Sequence, residues 1–111
     1  MNVEELKSEL KNIFGNDIIF NKDFDYHATL VKNIDSNLLE WCKNISEDKI
    51  KPIFPEKLKD GIVFIKKIGG STRCIIIKVI NGKVREIHLG DHKYYDKLTK
   101  AIGLKKSSET Y

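Results

Sequence analysis

The dipeptide Asn81-Gly82 sits between two runs rich in isoleucine and valine, Thr72 to Ile80 and Lys83 to Leu89, and a third such run, Ile62 to Ile68, precedes them across Gly69-Gly70. Asn-Gly in that setting is a strong local signal for a two-residue type I′ hairpin, because both central residues accept positive φ. Three strands joined by tight turns, an antiparallel meander, are therefore expected in the C-terminal half. With the turn at Asn81-Gly82, Ile80 faces Lys83, Ile76 faces Ile87, Ile75 faces His88 and Arg73 faces Gly90.

The rest of the chain has helical periodicity. Val3, Leu6, Leu10, Ile13 and Phe14 line one face of a helix over Val3 to Phe14, with Asn2 as its N-cap and Gly15 just past its end. Ile18 to Phe20 is long enough for one brief strand. Phe24, His27, Leu30 and Val31 form a second apolar stripe, and Leu38, Leu39, Trp41, Cys42 and Ile45 a third behind the expected N-caps Asp35 and Ser36, with a turn near Asn33 between them. Trp41 and Cys42 read as core residues and His27 as a packed one. Pro52 and Pro55 make the segment from Lys49 to Leu58 a connecting loop. Tyr95, Leu98 and Ile102 mark a last helix within Asp91 to Leu104, followed by a flexible polar tail over 105–111. The order predicts one α+β domain over 1–111, with a small antiparallel sheet and helices packed on one face.

Composition narrows the function classes. Hydrophobic residues at 41% and charged residues at 32% suit an ordinary folded domain and not a disordered chain. With the acidic start Met1-Asn2-Val3-Glu4-Glu5 and only short apolar runs, neither a signal peptide nor a membrane span is expected. Cys42 and Cys74 lack metal-site spacing, so reduced thiols in a cytoplasmic protein are expected. The net charge is only +4, but it is polarised: 1–48 carry −5 and 49–111 carry +9. A basic half of that kind suits contact with a polyanion, because lysine and arginine neutralise phosphates and release counterions.

Side chains alternate along strands, so register decides which residues share a face. Cys74, Ile76, Ile80, Ile87 and Leu89 form the expected floor for the helices. Arg73, Ile75, Ile77, Val79, Glu86 and His88 occupy the other face. An even-numbered loop at Gly69-Gly70 adds Lys66 to the Arg73 side, whereas a three-residue loop substitutes Lys67. Lys66, Arg73, Glu86 and His88 then converge where no helix is expected, beside Asp91-His92-Lys93-Tyr94-Tyr95. That set suits a phosphodiester. Arginine binds phosphate oxygens in pairs and stabilises developing charge, histidine exchanges protons near neutral pH, and Tyr95 or Glu86 supplies a second acid or base.

The stretches DIIFNKDFDYHATL and PEKLKDGIVFIKKIGGSTRCIIIKVINGKVREIHLGDHKYY, within Asp17 to Leu98, resemble the RelE/ParE superfamily of toxins from type II toxin-antitoxin systems. The shared order is a strand, two helices, a basic strand, an arginine opening the next strand, a tight hairpin, and a terminal histidine followed by tyrosine. The resemblance implies a RelE-like fold and a ribosome-associated, metal-independent endoribonuclease that cleaves mRNA without a cofactor. Carried over, Arg73 matches the phosphate-stabilising arginine, Lys66 and Lys67 the basic strand residues, and His92 with Tyr95 the catalytic pair. Lys93 stands where a second arginine is usual, and Tyr94 is an alternative to Tyr95. Catalytic roles are thus expected at Arg73, His92, Tyr95 and Glu86, and RNA contacts at Lys66, Lys67, Lys93, Tyr94 and His88. The implied partners are mRNA on the ribosome and an acidic antitoxin protein. The helix over Val3 to Phe14 is additional to the family layout. A binding protein of the same fold without nuclease activity, directed at gyrase or at a host or regulatory protein, is the competing expectation.

Overall fold

A computed structural model describes residues 2–104, so the expected tail over 105–111 lies outside the described residues. Helix α1, Val3–Phe14, has the predicted limits. Its start is fixed by reciprocal bonds: the Asn2 side chain accepts from the Glu5 amide at 2.8 Å, and the Glu5 carboxylate accepts from the Asn2 amide at 3.1 Å. Strand β1, Ile19–Phe20, is followed by helices α2, Phe24–Thr29, and α3, Ile34–Ser46. Helix α3 starts earlier than Asp35 and Ser36 suggest, because Asn33 turns the chain in the left-handed region at φ 54° and acts as N-cap. Strands β2, Gly61–Lys67, β3, Arg73–Val79, and β4, Val84–Gly90, lead into helix α4, His92–Ile102.

The protein is α+β, but its sheet is mixed. The order is β1-β4-β3-β2. Strand β1 runs parallel to β4, with Ile19 beside Glu86 and Phe20 beside Ile87, while the other pairings are antiparallel. An all-antiparallel sheet is thereby corrected: the crossover through α2, α3 and β2–β3 returns the chain beside β1 in the same direction.

Helices cover both faces, not one. On the first, Cys74, Ile76, Ile87 and Leu89 are fully buried beneath Leu6, Leu10, Phe24, Leu38 and Ile45 of α1, α2 and α3. Each such isoleucine or leucine contributes up to roughly 1.5–3 kcal/mol. On the second, Val63, Ile75 and Ile77 pack against Tyr95 and Ile102 of α4. The face expected to be open is thus partly roofed, because the Tyr95, Leu98 and Ile102 stripe needs an apolar partner.

Both hairpins carry three-residue loops. Ile68 donates to the Thr72 carbonyl at 3.0 Å, which closes Gly69-Gly70-Ser71. Val79 donates to Lys83 at 3.2 Å and Gly82 to Val79 at 2.9 Å. Asn81 has φ 58° and Gly82 has no positive φ, so a type I′ turn is not formed. The expected pairing holds from Arg73 opposite Gly90 to Ile77 opposite Glu86, then shifts so that Lys78 faces Val84. Arg85 is the extra residue of this bulge. It turns out to solvent, while Val84 joins the helical core.

Beyond α3 the loop with Pro52 and Pro55 is tethered at two places. Ile53 exchanges backbone bonds with Val63 at 2.8 and 2.9 Å, shielding the outer edge of β2. Lys57 donates to the Ile102 carbonyl at 3.1 Å and holds the end of α4.

Candidate active site

Strand β4 presents Glu86 and His88 on the face that α4 roofs, opposite Ile77 and Ile75. The two alternate positions put both side chains on one side of the pleat. The strand ends at Gly90, and Asp91 caps α4 by accepting from the Tyr94 amide at 2.9 Å. The first helical turn then folds Tyr94 back over Gly90. A Cβ on Gly90 would lie 2.7 Å from Cγ of Tyr94, so the approach requires glycine.

This return brings three polar groups into line. The Tyr94 hydroxyl lies 2.7 Å from His88 Nδ1, and His88 Nε2 lies 2.8 Å from Oε1 of Glu86. The rings of His88 and Tyr94 are stacked at 6.0 Å. Since a carboxylate only accepts, the neutral imidazole carries its hydrogen on Nε2, donates to Glu86, and accepts from the Tyr94 hydroxyl. An imidazolium would instead donate at both nitrogens.

Burial holds the Tyr94 phenol above its ordinary ionisation range; an Asn21 side-chain hydrogen bond opposes the shift, and the Glu86 and Asp23 carboxylates reinforce it. Asn21 also locks the end of β1 to β4. Its amide donates to the Leu89 carbonyl at 2.8 Å and its Oδ1 accepts from the Leu89 amide at 2.9 Å.

Arg73 stands opposite Gly90 on one side and Lys67 on the other. Its guanidinium lies over the Tyr95 ring, 5.9 Å from the centroid. His92 stacks on that same ring at 6.1 Å and reaches Asp96 at 3.4 Å. Arg73, Tyr95 and His92 are therefore brought together, with Tyr95 buried at 8% exposure and the His92 side chain at 64%. Lys93 is exposed on the same turn.

Lys66 is not part of this group. The three-residue loop pairs it with Cys74, on the α1–α3 side, and gives Lys67 its place beside Arg73. The expected convergence of Lys66 with Arg73, Glu86 and His88 is corrected accordingly.

The expected residues thus form an arginine-tyrosine-histidine cluster through Tyr95 and a hydrogen-bonded chain through His88. Asn21 and Gly90 were not expected to matter. The only sequence signal for Gly90 is its place between a strand and a capping aspartate; Asn21 offers none, since its partners are distant in sequence. Among the described residues, no group of three or more His, Cys, Asp and Glu side chains is arranged to hold a metal ion, and no helix is long and apolar enough to cross a membrane. Compared with protein-family models, curated proteins and solved structures, the chain has no match in any of the three.

Proposed function

We propose that the protein is a metal-independent endoribonuclease that cleaves mRNA at the ribosome, the toxin of a type II toxin-antitoxin pair of RelE type. The observation that carries this reading is the chain Glu86–His88–Tyr94, with bonds of 2.8 and 2.7 Å, on the sheet face that also bears Arg73. A base oriented by a carboxylate and coupled to a hydroxyl is the arrangement that proton transfer to and from a reacting group requires.

In this mechanism a ribose 2′-hydroxyl gives its proton to the Tyr94 oxygen while the phenolic proton passes to His88 Nδ1. The Glu86 carboxylate stabilises the imidazolium through Nε2. The 2′-oxygen attacks phosphorus, Arg73 binds the charge that develops on the phosphoryl oxygens, and the bond to the 5′-oxygen breaks. His92, exposed on the first turn of α4, is the candidate donor to the leaving oxygen. The products are a 2′,3′-cyclic phosphate and a 5′-hydroxyl. Burial of Tyr94 favours the neutral phenol that this relay needs.

The +9 charge of 49–111 supports a polyanionic substrate and an acidic antitoxin that covers the same surface in the cytoplasm. A second reading, binding without cleavage, is favoured by the burial of Tyr95 and its ring contact with Arg73, which suit a structural role for both.

Induced expression in a bacterial host, with mapping of mRNA ends by primer extension, separates the two. Growth arrest with discrete cuts that disappear in Arg73→Ala and His88→Ala supports the nuclease. Arrest without cuts transfers support to binding alone, and no arrest and no cuts removes both toxin readings.

A further inference from the structure

We propose that the cleft between the α2–α3 turn and the β2–β3 hairpin is a second phosphate subsite, which holds the backbone of a single-stranded RNA whose neighbouring nucleotides lie at Arg73. The inference rests on the RNA reading for its ligand, but not on cleavage.

The cleft is open, with a volume of about 490 Å³, and is lined by Lys32 from the turn, Lys66 and Lys67 from the end of β2, Asn37 of α3, and Gly69-Gly70. None of the three lysines pairs with a described carboxylate. Lys32 and Lys66 bring positive charge to the cleft and Lys67, on the other side of the pleat, continues it toward Arg73, a distribution that suits an anion with charges repeated along its length. Asn37 adds a neutral amide donor. The backbone at Gly70 is open to close approach, since a Cβ there would meet nothing within 4 Å.

The end of the β2–β3 hairpin relates this cleft to the site on the other face. Lys67 lines the cleft and also stands directly opposite Arg73, whereas Lys66, the preceding residue, faces the helical side. Strand β2 is the outer strand of the sheet. A polynucleotide can therefore pass around the hairpin end with lysines on both sides of the pleat. Leu30, 58% exposed at the rim, offers an apolar surface to a sugar or base.

The test is fluorescence anisotropy of the full chain with a labelled 2′-O-methyl oligouridylate dodecamer, which binds but lacks the 2′-hydroxyl needed for cleavage. Lys32→Ala/Lys66→Ala is compared with Lys43→Ala/Lys97→Ala, which removes the same charge elsewhere, and thermal melts check that both doubles fold. The cleft double is expected to weaken binding roughly tenfold or more and to make the log–log salt dependence shallower by about 1.4, the value for two lost single-strand phosphate contacts. The control double should weaken binding less than about twofold. Equal losses in the two doubles, or no loss in the first, overturn the subsite. A Lys32→Ala/Lys66→Ala double that weakens polyglutamate binding but leaves dodecamer binding unchanged also overturns the subsite and assigns the cleft to an acidic protein. A wild type that leaves cleavable RNA intact, yet shows the Lys32/Lys66 dependence, removes the nuclease and keeps the subsite.

Discussion

The Tyr94 hydroxyl and His88 Nδ1 lie 2.7 Å apart although one belongs to helix α4 and the other to strand β4. The contact exists because the chain reverses within Gly90-Asp91 and because Asp91 fixes the first helical turn. In the proposed mechanism this bond is the path by which the phenolic proton reaches the imidazole, so it is the natural first target.

Tyr94→Phe keeps the ring that packs over Gly90 and removes only the hydroxyl. RNA cleavage should fall by roughly 10²–10⁴-fold, the usual contribution of a positioned acid or base. Stability should fall by only about 1 kcal/mol, the value of one net hydrogen bond. Cleavage of a labelled oligoribonucleotide beside a urea unfolding curve checks both; equal cleavage by the variant removes Tyr94 from the relay.

Gly90→Ala attacks the same bond from the backbone. The added Cβ would stand 2.7 Å from Cγ of Tyr94, so the ring must move away and the His88 contact must lengthen. Overpacking of this kind costs about 1–3 kcal/mol. Cleavage should drop together with the melting temperature, and a fully active, fully stable Gly90→Ala protein would contradict the geometry.

The bulge in β4 predicts opposite outcomes for adjacent residues. Val84 is buried in the core cluster that includes Phe14 and Ile45, whereas Arg85 is exposed. Val84→Ala should lose roughly 1.5 kcal/mol, at about 0.8 kcal/mol per buried methylene, and Arg85→Ala should stay within about 0.5 kcal/mol of wild type. Chemical denaturation of the two variants checks the assignment. A register without the bulge would turn Val84 to the other face and predicts a reversed ranking.

That pair of residues also shows what the sequence can and cannot disclose. The apolar spacing of α1 and the Ile/Val-rich runs of β2 to β4 depend on local pattern, and they were legible almost to the residue. The pairing of Arg73 with Gly90 and of Ile75 with His88 agrees with the register of a two-residue turn only because the bulge at Arg85 offsets the extra residue of the longer loop. The extra residue Arg85 was hidden, since Asn81-Gly82 suits both a two-residue turn and the longer loop actually formed. The parallel contact of Ile19 with Glu86 was also hidden, because nothing near Ile19 specifies a partner so distant in sequence. The sequence does hold a signal for a second cover: Ile62 to Ile65 and Cys74 to Ile77 are continuous apolar runs, the mark of strands buried on both faces. They required a second cover, and α4 supplies it. The same reversal of α4 put Tyr94, and not only Tyr95, at the centre of the candidate site.

Burial pushes the Cys42 thiol up to about 12 and, with the Cys42 charge adding to desolvation, raises Cys74 as well. A raised pKa means that the folded state holds its proton more tightly than the unfolded chain, whose cysteines ionise near about 8.5. The stabilisation is therefore complete below that value and is lost as pH rises toward 12. Each thiol adds a slope of at most about 1.4 kcal/mol per pH unit across the window. Urea unfolding under reducing conditions at mildly and strongly alkaline pH should show wild type losing more stability than Cys42→Ala over the same interval. Iodoacetamide should likewise leave both thiols unmodified in the folded protein and label them in urea. Rapid labelling of native Cys42, or identical alkaline slopes in the two proteins, would show that the thiol does not lie in the core between α3 and the sheet.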